Sequence, residues 1–191
     1  MKRCNWASSE ILIEYHDNRW GKPIFNDMEL FKLLCLESFQ AGLSWEIVLK
    51  KEKALLNVFE NFNPYIVANY NENKIKNIIS NPEIIRNKLK INAMVNNSKL
   101  FINYFHKENS FSDFIWSHSD YQIIDNELSV NDIMPTTSSL AIIISEKLKE
   151  RGFKFIGEKI VYSFLEAMGF YNNHVVECFC YKKYKNKEVL K

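Results

Sequence analysis

Residues 152–159, Gly152-Phe153-Lys154-Phe155-Ile156-Gly157-Glu158-Lys159, sit between two helical patterns and decide the fold. Before them, Ser138 or Ser139 can cap a helix running through Arg151, with Lys147, Lys149 and Arg151 near its negative end and Gly152 just past it. After them, Ile160/Phe164 and Val161/Leu165 repeat at i,i+4 up to Met168 and Gly169, which gives the second helix a packed face. Two helices joined by a tight glycine-bearing turn form a helix-hairpin-helix over residues 139–169. Gly157, at the start of the second helix, lets a DNA phosphate approach bare backbone N–H groups at the positive end of the helix dipole. Gly152, Lys154 and Lys159 in the same segment are further candidate DNA contacts. Such a contact positions a protein on a duplex without reading its sequence. An ordinary packing corner would use the same residues, with Phe153 and Ile156 in the core either way.

Outward from the hairpin, helical patterns continue. Asn26-Asp27 can cap a helix beginning Met28-Glu29-Leu30-Phe31, Gly42 ends it, and Ser44 can cap the next, from Trp45 to about Phe59. Asn63-Pro64 is another start, with Pro at the first helical position. Further helices fit residues 72–79, 83–105 and 111–117, whereas 119–137 reads as irregular. Five Gly and four Pro among 191 residues, with 47% hydrophobic residues, predict an all-α chain with a sizeable core. No repeat or linker divides it, so a single compact unit is expected, with a helical body over about 26–165.

The longest apolar run, Leu140 to Ile144, is too short to span a bilayer, and Met1-Lys2-Arg3-Cys4-Asn5-Trp6 has no apolar stretch typical of an export signal. The cysteines therefore read as reduced thiols or ligands, the expected location is cytoplasmic, and nothing demands more than a monomer. A net charge of +2 argues against gripping nucleic acid by bulk charge, but permits a local basic face. Lys182, Lys183, Lys185, Lys187 and Lys191 make residues 182–191 a basic tail, expected to be disordered, with phosphate contact the alternative.

Near the two ends lie Cys4 and His16, and His174 and Cys178, the donor set that a closed tetrahedral Zn²⁺ site prefers. The His174-x3-Cys178 spacing places imidazole and thiol one helical turn apart; Cys4-x11-His16 is uninformative alone. If the four converge, a metal staples residues 1–25 to 170–181. The alternative is two small buried cysteines and two surface histidines. Cys180 competes with Cys178, which the one-turn spacing favours.

Trp6, Tyr15 and Trp20 flank these candidate ligands, and Glu37 lies in an apolar helix end before Gly42. A buried carboxylate is costly unless paired, so Glu37 marks either a site or an exposed helix edge. The residues alone favour the exposed edge.

Together these stretches resemble the constitutive bacterial type I family of 3-methyladenine DNA glycosylases, a branch of the helix-hairpin-helix glycosylases. The blocks that carry the resemblance are Arg3-Cys4-x-Trp6, Tyr15-His16-Asp17-Asn18-x-Trp20-Gly21, Leu36-Glu37, Gln40-Ala41-Gly42-Leu43-Ser44-Trp45, Arg151-Gly152-Phe153-Lys154-Phe155-x-Gly157, Tyr162-Ser163-Phe164 and His174-Val175-Val176. The resemblance implies a structural zinc on Cys4, His16, His174 and Cys178, remote from the chemistry. It implies a pocket for a flipped base made by Glu37, Trp6, Tyr15, Trp20 and Trp45. The implied substrate is double-stranded DNA carrying an alkylated adenine, whose positive purine is already a good leaving group. Aromatic faces favour a cationic base by about 0.5–2 kcal/mol per contact. Glu37 would accept a hydrogen bond from the adenine amino group and repel the O6 of guanine. Leu43, between two helices, is a candidate wedge for the gap in the base stack, or an ordinary core leucine.

Several positions depart from the related patterns. Many helix-hairpin-helix glycosylases place an aspartate shortly after the second helix; here the stretch is Tyr171-Asn172-Asn173-His174, and the type I family likewise lacks that residue. Lys159 stands where bifunctional relatives carry a Schiff-base lysine, but without the partner aspartate it reads as facing phosphate or solvent. Leu12 and Phe39 replace a tyrosine and a glutamine common in the family, which puts the pocket rim and the breadth of alkylpurine specificity in question. A non-catalytic zinc-stapled DNA-binding module is the rival reading. A zinc nucleobase deaminase lacks support, because His-x-Glu with Pro-Cys-x-x-Cys is missing.

Overall fold

Asparagine and serine side chains start the helices where the sequence places them. The computed structural model describes residues 2–105 and 109–184. In chain order its helices are α1 (Glu10–Asn18), α2 (Asp27–Gln40), α3 (Trp45–Val58), α4 (Pro64–Val67), α5 (Glu72–Ser80), α6 (Lys88–Tyr104), α7 (Phe111–Trp116), α8 (Ser139–Glu150), α9 (Glu158–Ala167) and α10 (Tyr181–Tyr184). The Asn26 side chain accepts from the Met28 and Glu29 N–H groups, Ser44 from Ile47, and Ser138 from Ala141. Pro64 occupies the first turn of α4, where its missing N–H costs nothing.

Helix α2 is the axis of the body. Leu30, Phe31, Leu33, Leu34, Leu36 and Phe39 are buried around its circumference, as expected of a helix surrounded by others. It packs against α3, α6, α7 and α9. Lys90 of α6 closes its C-terminal end: the buried Nζ donates to the carbonyls of Phe39 (2.8 Å) and Ala41 (2.6 Å). Those carbonyls would otherwise lack a partner, and burial pulls the Lys90 pKa down.

The structure departs from the sequence expectations in four places. Helix α6 begins at Lys88 rather than 83, because the Asn87 side chain caps the Leu89 and Lys90 N–H groups and residues 82–83 form a turn. Helix α1 had no sequence signal beyond its motif residues. The irregular segment 119–137 contains a two-residue strand, β1 (Ile124–Asp125), paired in parallel with β2 (Tyr171–Asn172). The expected basic tail begins inside the helical turn α10, with Lys182 and Lys183 in it; Lys185, Lys187 and Lys191 lie outside the described residues.

The segment between α8 and α9 is held by side chains invisible to periodicity. Asn97 of α6 donates to the Lys154 carbonyl and accepts from the Lys154 N–H, both at 2.9 Å. Ser145 donates to the Ile156 carbonyl at 2.7 Å. Phe153 and Ile156 are buried as expected. Removing the Asn97 amide takes the partner from two backbone groups in a part-buried corner, at about 1–3 kcal/mol for each one left unpaired. Asn97→Ala is therefore expected to lower the melting temperature by roughly 4–24 °C for a chain of this size, measurable by circular dichroism.

Candidate active site

The chain ends converge. Single ligand atoms of Cys4, His16, His174 and Cys178 all lie within 4.8 Å of one another, and all four residues are buried. Cys4 Sγ is 3.7 Å from His174 Nδ1, and Cys178 Sγ is 3.5 Å from His16 Nε2 and 3.8 Å from His174 Nδ1. A tetrahedral shell with metal–sulfur bonds near 2.3 Å and metal–nitrogen bonds near 2.0 Å has edges of roughly 3.3–3.8 Å. The donors are thus spaced to hold one metal ion. The Val175 and Cys180 N–H groups point at the Cys4 and Cys178 sulfurs, at 3.5 and 3.4 Å, and favour thiolates. The neighbouring Cys4 thiol, then burial opposed by His16 and His174, leaves the Cys178 thiol well below the usual range. Burial lowers the His174 pKa, toward the neutral form a ligand requires.

An outer layer fixes the His16 ring. Its Nδ1 lies 2.8 Å from Asp17 Oδ1, and Arg3 donates to both Asp17 oxygens at 2.8–3.0 Å. Such a carboxylate on the far ring nitrogen sets which nitrogen faces the ligand cluster.

The His174-x3-Cys178 segment is not a helix. Residues 174–180 form successive bends and turns, with the Cys178 N–H donating to the Val175 carbonyl at 2.7 Å. The spacing succeeded because a tight turn, like a helical turn, brings i and i+4 together. The alternative of surface histidines is likewise excluded, since His16 and His174 are buried.

Beside the clasp lies a cavity of about 380 Å³, lined by Trp6, Leu12, Tyr15 and Trp20, with Glu37, Gln40 and Trp45 from α2 and α3, and Ser163 and Glu166 from α9. Trp6 meets Trp20 edge-on with ring centroids 5.0 Å apart, and Tyr15 lies 5.3 Å from Trp45. The clasp backs directly onto this wall: Trp20 stacks on His16 and meets His174 edge-on at 4.6 Å. Gly169 lets the two sections join. Its φ is +79°, and a Cβ there would stand 2.6 Å from the backbone of Lys22 and Pro23.

Glu37 is only 2% exposed. The exposed-edge reading is therefore wrong: α2 is buried on every side from Leu33 to Phe39, and Glu37 and Gln40 line the cavity. Glu37 Oε2 and Trp45 Nε1 have no hydrogen-bond partner among the described residues, a rare condition for buried polar atoms. Burial first, then the charge of Glu166, pushes the Glu37 carboxyl well above its usual range. Burial likewise lifts Glu166 to about 8, partly offset by a hydrogen bond from Asn173. Two acidic groups held in an apolar, aromatic box form a receptor for a cation that carries a hydrogen-bond donor.

A second cavity, of about 330 Å³, adjoins the first and opens beside Gly42, Leu43, Thr136 and Lys159. Leu43 is exposed here, which removes the core-leucine reading. In the turn preceding α9, Gly152 has φ +91°, and none of the described residues lies within 4 Å of where a Cβ on Gly157 would stand. Lys154 and Lys159 are exposed.

The sequence profile of the methyladenine glycosylase family matches residues 6–181. DNA-3-methyladenine glycosylase 1 of Escherichia coli (strain K12) is 40% identical over 182 residues, covering 95% of this chain and 97% of that protein. The chain belongs to the methyladenine glycosylase family. A crystal structure of 3-methyladenine DNA glycosylase I superposes with a TM-score of 0.90 at 39% identity, covering 94% of this chain and 99% of the other. A tyrosine-to-phenylalanine variant of such an enzyme, crystallised in complex with 3-methyladenine, matches with a TM-score of 0.89 at 35% identity, covering 94% and 97% of the two chains.

Within the family fold, Trp6, Tyr15, Trp20, Glu37 and Trp45 come together around one cavity, as the resemblance implied. Of the two departures suspected at the rim, only Leu12 lies there. Phe39 is buried among Phe59 and Phe62, at ring distances of 5.7 and 6.2 Å, and its neighbour Gln40 faces the cavity. Sequence reasoning missed Glu166. Its one signal is its i+3 spacing from Ser163 in the Tyr162-Ser163-Phe164 block, which puts both on one side of α9.

Proposed function

We propose that this chain is a monofunctional DNA glycosylase that removes 3-methyladenine from duplex DNA by extruding the nucleotide and hydrolysing its N-glycosidic bond, in base excision repair. One observation carries the reading: a carboxyl, Glu37, buried in a cavity walled by Trp6, Tyr15, Trp20 and Trp45, with its Oε2 unpartnered among the described residues. A cationic purine with an exocyclic amino group satisfies that carboxyl; a neutral purine supplies no charge, and a guanine presents an acceptor instead. The positive base leaves with the bonding electron pair, so little acid catalysis is required, and water completes an abasic sugar. Leu43 fills the space the base vacates. The backbone N–H groups at Gly157, with Gly152, Lys154 and Lys159 beside them, meet phosphates through a helix-hairpin-helix at residues 139–169.

The helical body, about residues 26–165, carries α2, α3 and the hairpin, and residues 1–25 and 170–181 are clasped onto it. Zn²⁺ on Cys4, His16, His174 and Cys178 fits the spacing of the donors; when bound, it supplies a four-ligand cross-link with no open position for water. The aromatic wall then keeps its place because Trp20 rests on two of the ligands. No helix among the described residues is long and apolar enough to cross a membrane. A cytoplasmic monomer completes the reading.

The direct test measures free bases released from methylated duplex DNA. Release of 3-methyladenine well ahead of 3-methylguanine and 7-methylguanine is expected; DNA binding with no base released would favour the rival, a non-catalytic binding module. The hairpin is tested by Gly157→Asp. Gly157 is the N-cap of α9 with φ −60°, and Asp there is a good cap. Melting temperature should hold or rise, while affinity for duplex DNA falls by at least tenfold, because a carboxylate now occupies the phosphate position. Unchanged affinity would take the hairpin out of the interface.

A further inference from the structure

We propose that Glu166 is a second catalytic residue, whose carboxylate faces the sugar of the extruded nucleotide, stabilises its developing positive charge and accepts a proton from the attacking water. This inference rests on the glycosylase reading and deepens it.

The placement follows from the two cavities. The inner one is the aromatic box; the outer one opens beside Leu43 and Lys159. They share four lining residues: Gln40, Met134, Ser163 and Glu166. A nucleotide with its base in the box and its phosphates outside has its glycosidic bond at this passage. Glu166 is the acidic residue that borders both spaces.

The carboxyl is also aimed. Asn126 donates through Nδ2 to Asn173 Oδ1 at 2.7 Å, which turns the Asn173 amide so that its Nδ2 donates to Glu166 Oε1 at 2.5 Å and to the Tyr162 hydroxyl at 2.9 Å. The short parallel pairing of β1 with β2 brings the two asparagines together. Asn173 thus holds one Glu166 oxygen, leaving the other for the passage. In the resting site burial keeps this carboxyl largely protonated at neutral pH. A cationic base beside it favours release of that proton to solvent through the outer cavity, and its anionic form arises where positive charge develops; the proton later taken from water restores the resting carboxyl.

The step balances. The C1′–N9 bond breaks and its electron pair neutralises the purine, leaving neutral 3-methyladenine and a sugar cation. Water oxygen bonds to C1′, and one water proton passes to the Glu166 carboxylate, giving the abasic sugar and a protonated Glu166. Glu37 remains with the base throughout.

Two measurements test this. Glu166→Gln keeps the side-chain volume and an oxygen for Asn173, so a purely structural role survives it. Its single-turnover release of 3-methyladenine is expected to fall at least 30-fold, with affinity for the free base within threefold of wild type. A wild-type rate overturns the proposal, whereas a wild-type protein that releases no base defeats the glycosylase reading instead. The second measurement needs no variant to fold. Wild-type protein is expected to bind duplex DNA carrying a protonated pyrrolidine abasic analogue at least tenfold tighter than DNA carrying neutral tetrahydrofuran. Equal affinity for the two analogues overturns the proposal, and in Glu166→Gln the preference should disappear.

Discussion

Glu37→Gln is expected to slow 3-methyladenine release by about 100-fold while raising thermal stability. The two effects share a cause. Glu37 is buried with one oxygen unpartnered among the described residues, so the folded protein carries an unmet polar group that a cationic base would satisfy. A hydrogen bond to a charged group contributes about 1.5–3 kcal/mol, and each 1.36 kcal/mol at the transition state is tenfold in rate. Glutamine keeps the shape, loses the charge and loses discrimination between amino and keto purines. The stability effect has a definite sign. The folded carboxyl titrates above its unfolded value, so the native state holds a proton that the unfolded chain releases. Stability is fully present below about pH 4.5 and falls as pH rises toward the folded pKa. Glutamine has no proton to lose, so the variant's advantage in melting temperature should widen from pH 5 to pH 8. Base release in single turnover and melting across that range check both halves. Full activity of the variant would remove Glu37 from base recognition. Such opposition of stability and activity is common where a site is built unsatisfied.

Cys178→Ala is expected to lower metal content from one ion per chain to a small fraction and to reduce stability by about 4 kcal/mol where metal exceeds its dissociation constant a thousandfold. For a chain of this size that amounts to about 8–16 °C in melting temperature. Cys178 approaches both histidines and receives the Cys180 N–H, so its loss disconnects most of the clasp. The body should survive, since Phe31 packs against Phe101 and Phe39 against Phe59 and Phe62, none of them a ligand residue. The aromatic wall should not: Trp20 rests against His16 and His174, and Trp6 against Trp20. Affinity for free 3-methyladenine is therefore expected to fall tenfold or more even in protein that remains helical. Elemental analysis, melting and tryptophan fluorescence read the three effects separately. Wild-type protein without bound metal, or a variant with an unchanged melting temperature, would reject a structural metal.

Part of this architecture is legible in the sequence alone. The caps at Asn26, Ser44, Asn63 and Ser138 and the i,i+4 repeats of α9 are local signals, written within a few residues of what they control. The motif blocks name candidate site residues by resemblance, and Trp6, Tyr15, Trp20 and Trp45 line one cavity. The residues by themselves misjudged Glu37, because a helix surrounded on all sides offers no exposed edge, and surrounding is a property of the whole body. They gave a helical turn to His174–Cys178 where a tight turn stands, since both place i and i+4 within reach. They offered nothing for Asn97, Lys90 or Asn173, whose partners lie in distant stretches of chain.

The sequence by itself determined the helical character of the chain, most of its helix starts and the donor types at its two ends, since capping, periodicity and ligand chemistry are properties of short segments. Only the tertiary structure decided that Glu37 is buried with one oxygen unpartnered among the described residues, that Phe39 belongs to the core while Gln40 faces the cavity, and that Glu166 stands between the two cavities. Burial, desolvation and the meeting of carboxyls from different helices exist only once the helices are packed.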